Sequence, residues 1–171
     1  MTRSTAGLFL VVVLLAGCGG EEDDSEGPLD TVGEGPGHGN TVCVPVHDDG
    51  FASIAWETIQ NTSEADVTVV GVAVDSDRVK VEGWFLADVD WADAGVTGGR
   101  LPDTQEAELS STLAPGQEAL VAMTLHGDKL VEPVDLDVAV QYESPVGKGA
   151  VELDAGVRVM PAGELCDYVP S

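Results

Sequence analysis

Val134-Asp135-Leu136-Asp137-Val138-Ala139-Val140-Gln141-Tyr142-Glu143 places Val134, Leu136, Val138, Val140 and Tyr142 on one side of an extended chain. Asp135, Asp137, Gln141 and Glu143 fall on the other. Successive side chains of a strand point to opposite faces, so alternation of this length specifies a strand with one face buried and one in water. The same habit recurs on either side, over residues 118–125 and 150–160. Earlier in the chain it appears in the runs 51–60, 67–74 and 79–86, and residues 41–46 supply a seventh candidate.

Turn chemistry separates these runs. Asn61-Thr62-Ser63-Glu64-Ala65-Asp66 lies between two of them, and Pro115-Gly116 suits the centre of a type II turn just before the strand at Glu118. Ser144-Pro145-Val146-Gly147-Lys148-Gly149 closes a hairpin between the last two runs. No segment joins helical periodicity to caps; residues 102–110, with Asp103 as N-cap, hold two turns at most. No internal repeat is visible. Short strands, Gly/Pro turns and one-sided alternation predict an all-β fold, a two-sheet antiparallel β-sandwich of about seven strands over residues 40–171.

The first residues read differently. Arg3 is the only charged side chain before Cys18, and Leu8-Phe9-Leu10-Val11-Val12-Val13-Leu14-Leu15 is wholly apolar. A transmembrane helix needs about 20 apolar residues, so this run fits the core of an export signal instead. Leu15-Ala16-Gly17-Cys18 comes next. The segment resembles the lipobox of bacterial lipoproteins, matching at all four positions. The resemblance implies diacylglycerol transfer to the Cys18 thiol, cleavage after Gly17 and removal of residues 1–17 as a signal peptide. It also implies a lipid anchor on the extracytoplasmic face of a cell membrane. Gly19 after the cysteine is compatible with transfer to an outer membrane where the host has two. Double acylation matters physically, because a single chain binds a bilayer only marginally.

Beyond Cys18 the composition changes abruptly. Residues 18–39 carry Glu21, Glu22, Asp23, Asp24, Glu26, Asp30 and Glu34 among glycines and two prolines, with few apolar side chains. Such a segment buries too little surface to offset its ordering entropy, so a disordered linker is expected between anchor and domain.

Asn61-Thr62-Ser63 leading into a Val-rich strand, Leu113-Ala114-Pro115-Gly116-Gln117 leading into Ala119-Leu120-Val121, and the terminal hairpin are similar to immunoglobulin-like domains of bacterial surface lipoproteins. The actinobacterial ones, rich in Val, Ala, Asp and Gly and poor in Lys, look most alike. The resemblance implies an immunoglobulin-like fold and no particular activity. Asn61-Thr62-Ser63 also matches an N-glycosylation sequon, which in a bacterial product is a coincidence of spelling.

With Cys18 lipidated, Cys43 and Cys166 remain as an even pair flanking the domain. Export places them in an oxidising compartment, where a pair is expected to be bridged.

Residues suited to chemistry are few. His38, His47 and His126 show no metal-ligand spacing, either with one another or with Cys43. Asp88, Asp90 and Asp93, followed by Gly95, form the densest carboxylate cluster; clustered oxygens suit calcium, but the spacing is not that of an EF-hand loop. A solvated acidic loop is the plainer reading. Trp91 lies in the same loop and is expected to be exposed, whereas Trp56 and Trp84 stand within strands and are expected in the core. Aromatic rings beside carboxylates can hold a sugar, and residues 87–112 form the longest irregular stretch. Asp88, Asp90, Trp91 and Asp93 therefore mark the candidate ligand loop. No nucleophile elbow, zinc-protease helix or phosphate loop is present, so no catalytic, cofactor-binding or metal-binding residue is expected.

The chain carries 31 acids against 7 bases, and loss of Arg3 would take the net charge from −24 to −25. Residues 40–171 hold 24 of those acids and six bases, or −18. That charge repels nucleic acid and anionic headgroups, so the only membrane attachment expected is the lipid itself. The function expected is a non-enzymatic binding or accessory module, its partner an envelope protein or a cell-wall glycan. The alternatives are a purely structural envelope protein and, behind it, an envelope hydrolase using Asp88 or Asp90.

Overall fold

The computed structural model describes residues 27–32, 41–91, 95–100 and 110–166. Among them are twelve strands and no helix: β1 (Leu29–Thr31), β2 (Val42–Pro45), β3 (Phe51–Asn61), β4 (Val67–Val74), β5 (Lys80–Ala87), β6 (Gly95–Gly98), β7 (Thr112–Leu113), β8 (Glu118–His126), β9 (Val134–Leu136), β10 (Val138–Ser144), β11 (Gly147–Glu152) and β12 (Val157–Met160).

The first sheet runs β1-β3-β8-β5. β3 is long enough for two partners on one edge, β6 against Ala52–Ala55 and β1 against Ile59–Asn61. A second sheet runs β11-β10-β4-β7 and a third β2-β12-β9. The third continues the second round a bend. β9 and β10 are one run interrupted at Asp137, β11 and β12 are likewise one return run, and Leu153 N donates to Val138 O at 2.9 Å across the break. The orders β1-β3-β8-β5 and β4-β10-β11 are the A-B-E-D and C-F-G orders of an immunoglobulin constant-type sandwich. The seven expected strands are all present, the last two each split in two by the bend.

One core fills the space between the layers. Ile54, Ile59, Met123 and Leu125 from the first sheet meet Val67, Val69, Val138 and Val140 from the second. The alternation that marked residues 134–143 does what it promised: Leu136, Val138, Val140 and Tyr142 are buried, while Asp135, Asp137, Gln141 and Glu143 face water. In β3 the alternation is broken by a bulge between Ala55 and Glu57. The extra residue shifts the phase by one, so Ile54, Trp56 and then Ile59 all reach the core. Trp56 is anchored there by Nε1, which donates to Ala155 O at 3.3 Å. Trp84 packs half-buried against the same core.

Ordered structure begins earlier than Asn40, where the domain was expected to start. Leu29, Asp30 and Thr31 pair with Asn61, Gln60 and Ile59, and Leu29 is 3 % exposed. The expected linker of residues 18–39 is therefore interrupted by a strand. Composition averages over a window, and one leucine among acids does not show in the average. Burying it still contributes about 1.5–3 kcal/mol.

Cys43 and Cys166 are joined by a disulfide across a sequence separation of 123, with Cα atoms 5.8 Å apart. It bolts β2 to the segment just beyond β12, its parallel neighbour.

Candidate functional site

The candidate ligand loop lies directly after β5. Asp88 and Asp90 are exposed, and they shape a turn: Asp90 N donates to Asp88 Oδ1 at 2.9 Å and Trp91 N to Asp88 O at 2.9 Å. Trp91 departs from expectation. It is half-buried, its ring edge-on to Phe85 at 5.4 Å, and it packs on Ala55, Ala87, Leu120 and Ala122. Those residues line the outer face of the first sheet, where small side chains leave room for a covering ring. Trp91 thus covers part of the outer face of the sheet. Asp93 lies outside the described residues.

Residues 95–100 return along the edge of the same sheet. β6 pairs with β3, Gly99 O accepts from Ser53 Oγ at 2.8 Å, and the Arg100 guanidinium sits 3.9 Å above the Phe51 ring centroid. The Phe51 ring is also stacked on His126, with centroids 4.5 Å apart. Part of the stretch 87–112 expected to be irregular is therefore sheet and cover, which is why Ser53 and Ala122 are fully buried although they face away from the main core.

His126 also lines a groove of about 330 Å³ with Arg78, Lys80, Glu82, Lys129 and Leu130. Its Nδ1 lies 3.6 Å from Glu82 Oε1, and Arg78 pairs with Glu132 at 3.0 Å. The groove opens at the Phe51 end of β3, since Phe51, His126 and Lys80 stand in register. β1 meets β3 at its other end, roughly 30 Å away at 3.3 Å per residue. Four of the six bases beyond residue 17, Arg78, Lys80, Arg100 and Lys129, gather at this far end. Sequence reading passed over the groove because its residues come from separate hairpins.

A second hollow of about 460 Å³ lies at the β1 end, between Pro28, Thr62, Tyr142, Val146 and Lys148. His47 is exposed beside Asp49, and His38 lies outside the described residues. Among the described residues no three His, Cys, Asp or Glu side chains are placed to hold a metal ion. Glu57, which the sequence did not single out, is 2 % exposed at the β3 bulge and so is withdrawn from any solvent-facing site.

The sequon asparagine is buried too. Asn61 Nδ2 donates to Ala65 O at 2.8 Å and to Leu113 O at 2.9 Å, while its Oδ1 accepts from Ser63 N and Oγ. Its amide is committed to the fold and closed to modification.

One surface pair shifts its own titration. The hydrogen bond from Arg158 holds the Asp135 carboxyl below the ordinary aspartate value, with the guanidinium charge adding to it, and the pairing raises Arg158 in turn. A depressed carboxylate stabilises the fold above its ordinary pKa and loses that contribution as pH falls through the depressed one. Arg158→Ala is expected to return the Asp135 titration, followed by NMR, to the ordinary range. Little global stability should change, since both groups are exposed.

The class defined by these features is a disulfide-closed, acidic immunoglobulin-like sandwich with a mixed-charge groove at one end. No protein-family model matches the chain, and neither does any curated protein. Among solved structures it is similar to the Vibrio cholerae VesB protease, with a TM-score of 0.42 and 11% identity, over 78% of this chain and 32% of that one. The chain thus spans under a third of that protease. It is also similar to the ASH / PapD-like domain of human CEP192, with a TM-score of 0.41 and 10% identity, over 95% of this chain and 100% of that one. At such scores neither likeness bears on activity, and the fold rests on its own strand order.

Proposed function

We propose that the chain is an exported lipoprotein, anchored through acylated Cys18, whose sandwich is a non-enzymatic binding or accessory module on the extracytoplasmic face. The observation that carries the reading is the apolar run 8–15 ending in Leu15-Ala16-Gly17-Cys18 with an acidic run directly behind it. The Cys43–Cys166 disulfide supports it, because such bonds persist in oxidising compartments. The fold adds a direction. Among the described strands β1 stands nearest Cys18 along the chain, so a tether places the groove of Arg78, Lys80, Glu82, His126 and Lys129 at the end away from the bilayer. A partner among envelope proteins or cell-wall glycans would meet that end first. The test has two arms. Cys18→Ala is expected to abolish metabolic lipid labelling and release the protein from membranes, and continued labelling would sink the anchor. Pull-down of the mature chain against envelope proteins and wall glycans should return a partner that Lys80→Glu weakens. Repeated failure to find one leaves the purely structural role standing.

A further inference from the structure

The strap of residues 27–32 holds on by little. Leu29 is its one side chain in the core. Beyond the short β1–β3 ladder, Thr62 N donates to Pro28 O at 3.0 Å, Val32 N to Thr58 O at 2.8 Å, and Thr31 Oγ1 to Asp154 Oδ2 at 2.7 Å. Gly27 lies against Tyr142 so closely that a Cβ there would come within 2.4 Å of the phenol oxygen, so even this contact is backbone on ring. β2 is held differently. Val44 and Val46 are in the core, four residues pair with β12, and Cys43 is covalently bound to Cys166. A weak attachment therefore sits immediately ahead of a covalent one along the chain.

We propose that β1 is a releasable length of the tether: under load it peels from β3, and the Cys43–Cys166 bond stops the release. Where the load comes from rests on the lipid-anchor reading, but the mechanics belong to the fold. A pull entering at residue 18 and leaving at residue 171 runs to Cys43, crosses the disulfide and leaves through Cys166. Residues 44–165 are bypassed. With β1 docked, residues 18–26 reach at most about 30 Å; with it released, residues 18–42 reach at most about 85 Å. Release also frees Asp30 in a segment whose sequence carries six further acids between residues 21 and 34, and like-charge repulsion favours the longer form. The module then has two reaches, set by one three-residue strand.

Optical tweezers on the chain from residue 18 to 171, carrying Cys18→Ser and peptide handles at both ends, read this directly. The oxidised protein should show one step of about 50 Å, the length of residues 27–42. Under reductant that step should persist, followed at higher force by a second of about 400 Å as residues 44–166 unfold. Leu29→Ala should raise the opening rate of the first step on the order of tenfold and leave the second where it was. Val44→Ala should do the reverse. A single cooperative rupture in the reduced protein, or a Leu29→Ala variant that moves both steps together, overturns the proposal. Persistence of both steps in a protein that lipid labelling shows to be unanchored would separate failure of the anchor from failure of the strap.

Discussion

Cys166→Ser is expected to cost the fold about 5 kcal/mol, the value the chain-entropy relation assigns to closure of a loop this long. The 123-residue separation makes the loop nearly the whole domain, so the bond constrains almost every conformation of the unfolded chain. Its removal should lower Tm by roughly 10–20 °C for a domain of this size. Urea unfolding would give two readouts. The midpoint should fall, and the slope with denaturant should rise, because an unfolded chain without the cross-link exposes more surface. A midpoint unchanged within error would mean that the reduced unfolded chain keeps its ends together by other means. Cys43→Ser should behave alike, and the double variant should match either single one, since both remove the same bond.

Asn61→Ala is expected to cost about 3–5 kcal/mol, from a buried acceptor losing its donor and several hydrogen bonds lost together. The asparagine is 0 % exposed at the end of β3, and its amide joins three segments: the turn at Ser63 and Ala65, the β7 strand at Leu113, and β3 itself. Its backbone N–H also donates to Gln117 O and its carbonyl accepts from Gly116 N, so the turn before β8 is fastened at the same residue. Alanine takes the side-chain donor from the buried Leu113 carbonyl, while the part-buried Ala65 carbonyl keeps the Ser63 hydroxyl. Glu64→Ala, exposed in the same turn, should stay within about 0.5 kcal/mol and serves as the control. Thermal melts of the two variants side by side decide the matter. Equal Tm values would show that the Asn61 hydrogen bonds are replaced on relaxation.

Asn61 also shows how far a sequence can be read. As part of Asn61-Thr62-Ser63 it was legible as a turn and as a sequon, and only the turn is used. That its amide spans to Leu113, 52 residues on, is a fact of topology with no local signature. Trp91 was read as an exposed ring because it lies in a loop, whereas Trp56 and Trp84 stand within strands. It is half-buried because the chain after β5 folds back over Ala55, Ala87 and Ala122, whose small side chains accept it. The bulge at Trp56 was hidden for a related reason: Phe51 to Gln60 reads as alternating, and one inserted residue changes its phase midway. The groove at His126 draws on β5, β8 and the turns beside them, so no run of residues announces it.

By itself the sequence determined the seven main strands, though not the short β1, β6 and β7, because alternation is a local property that only a run of some length displays. It determined the pairing of Cys43 with Cys166, because once Cys18 is set aside only two cysteines remain. It also supplied the whole case for the anchor at Cys18. Tertiary structure decided what covers each face. It drew Leu29 out of an acidic stretch and into the core, laid Trp91 on the first sheet, buried Glu57, and set the mixed-charge groove at the end farthest from β1. Burial depends on which distant segments arrive, and no periodicity along the chain records their arrival.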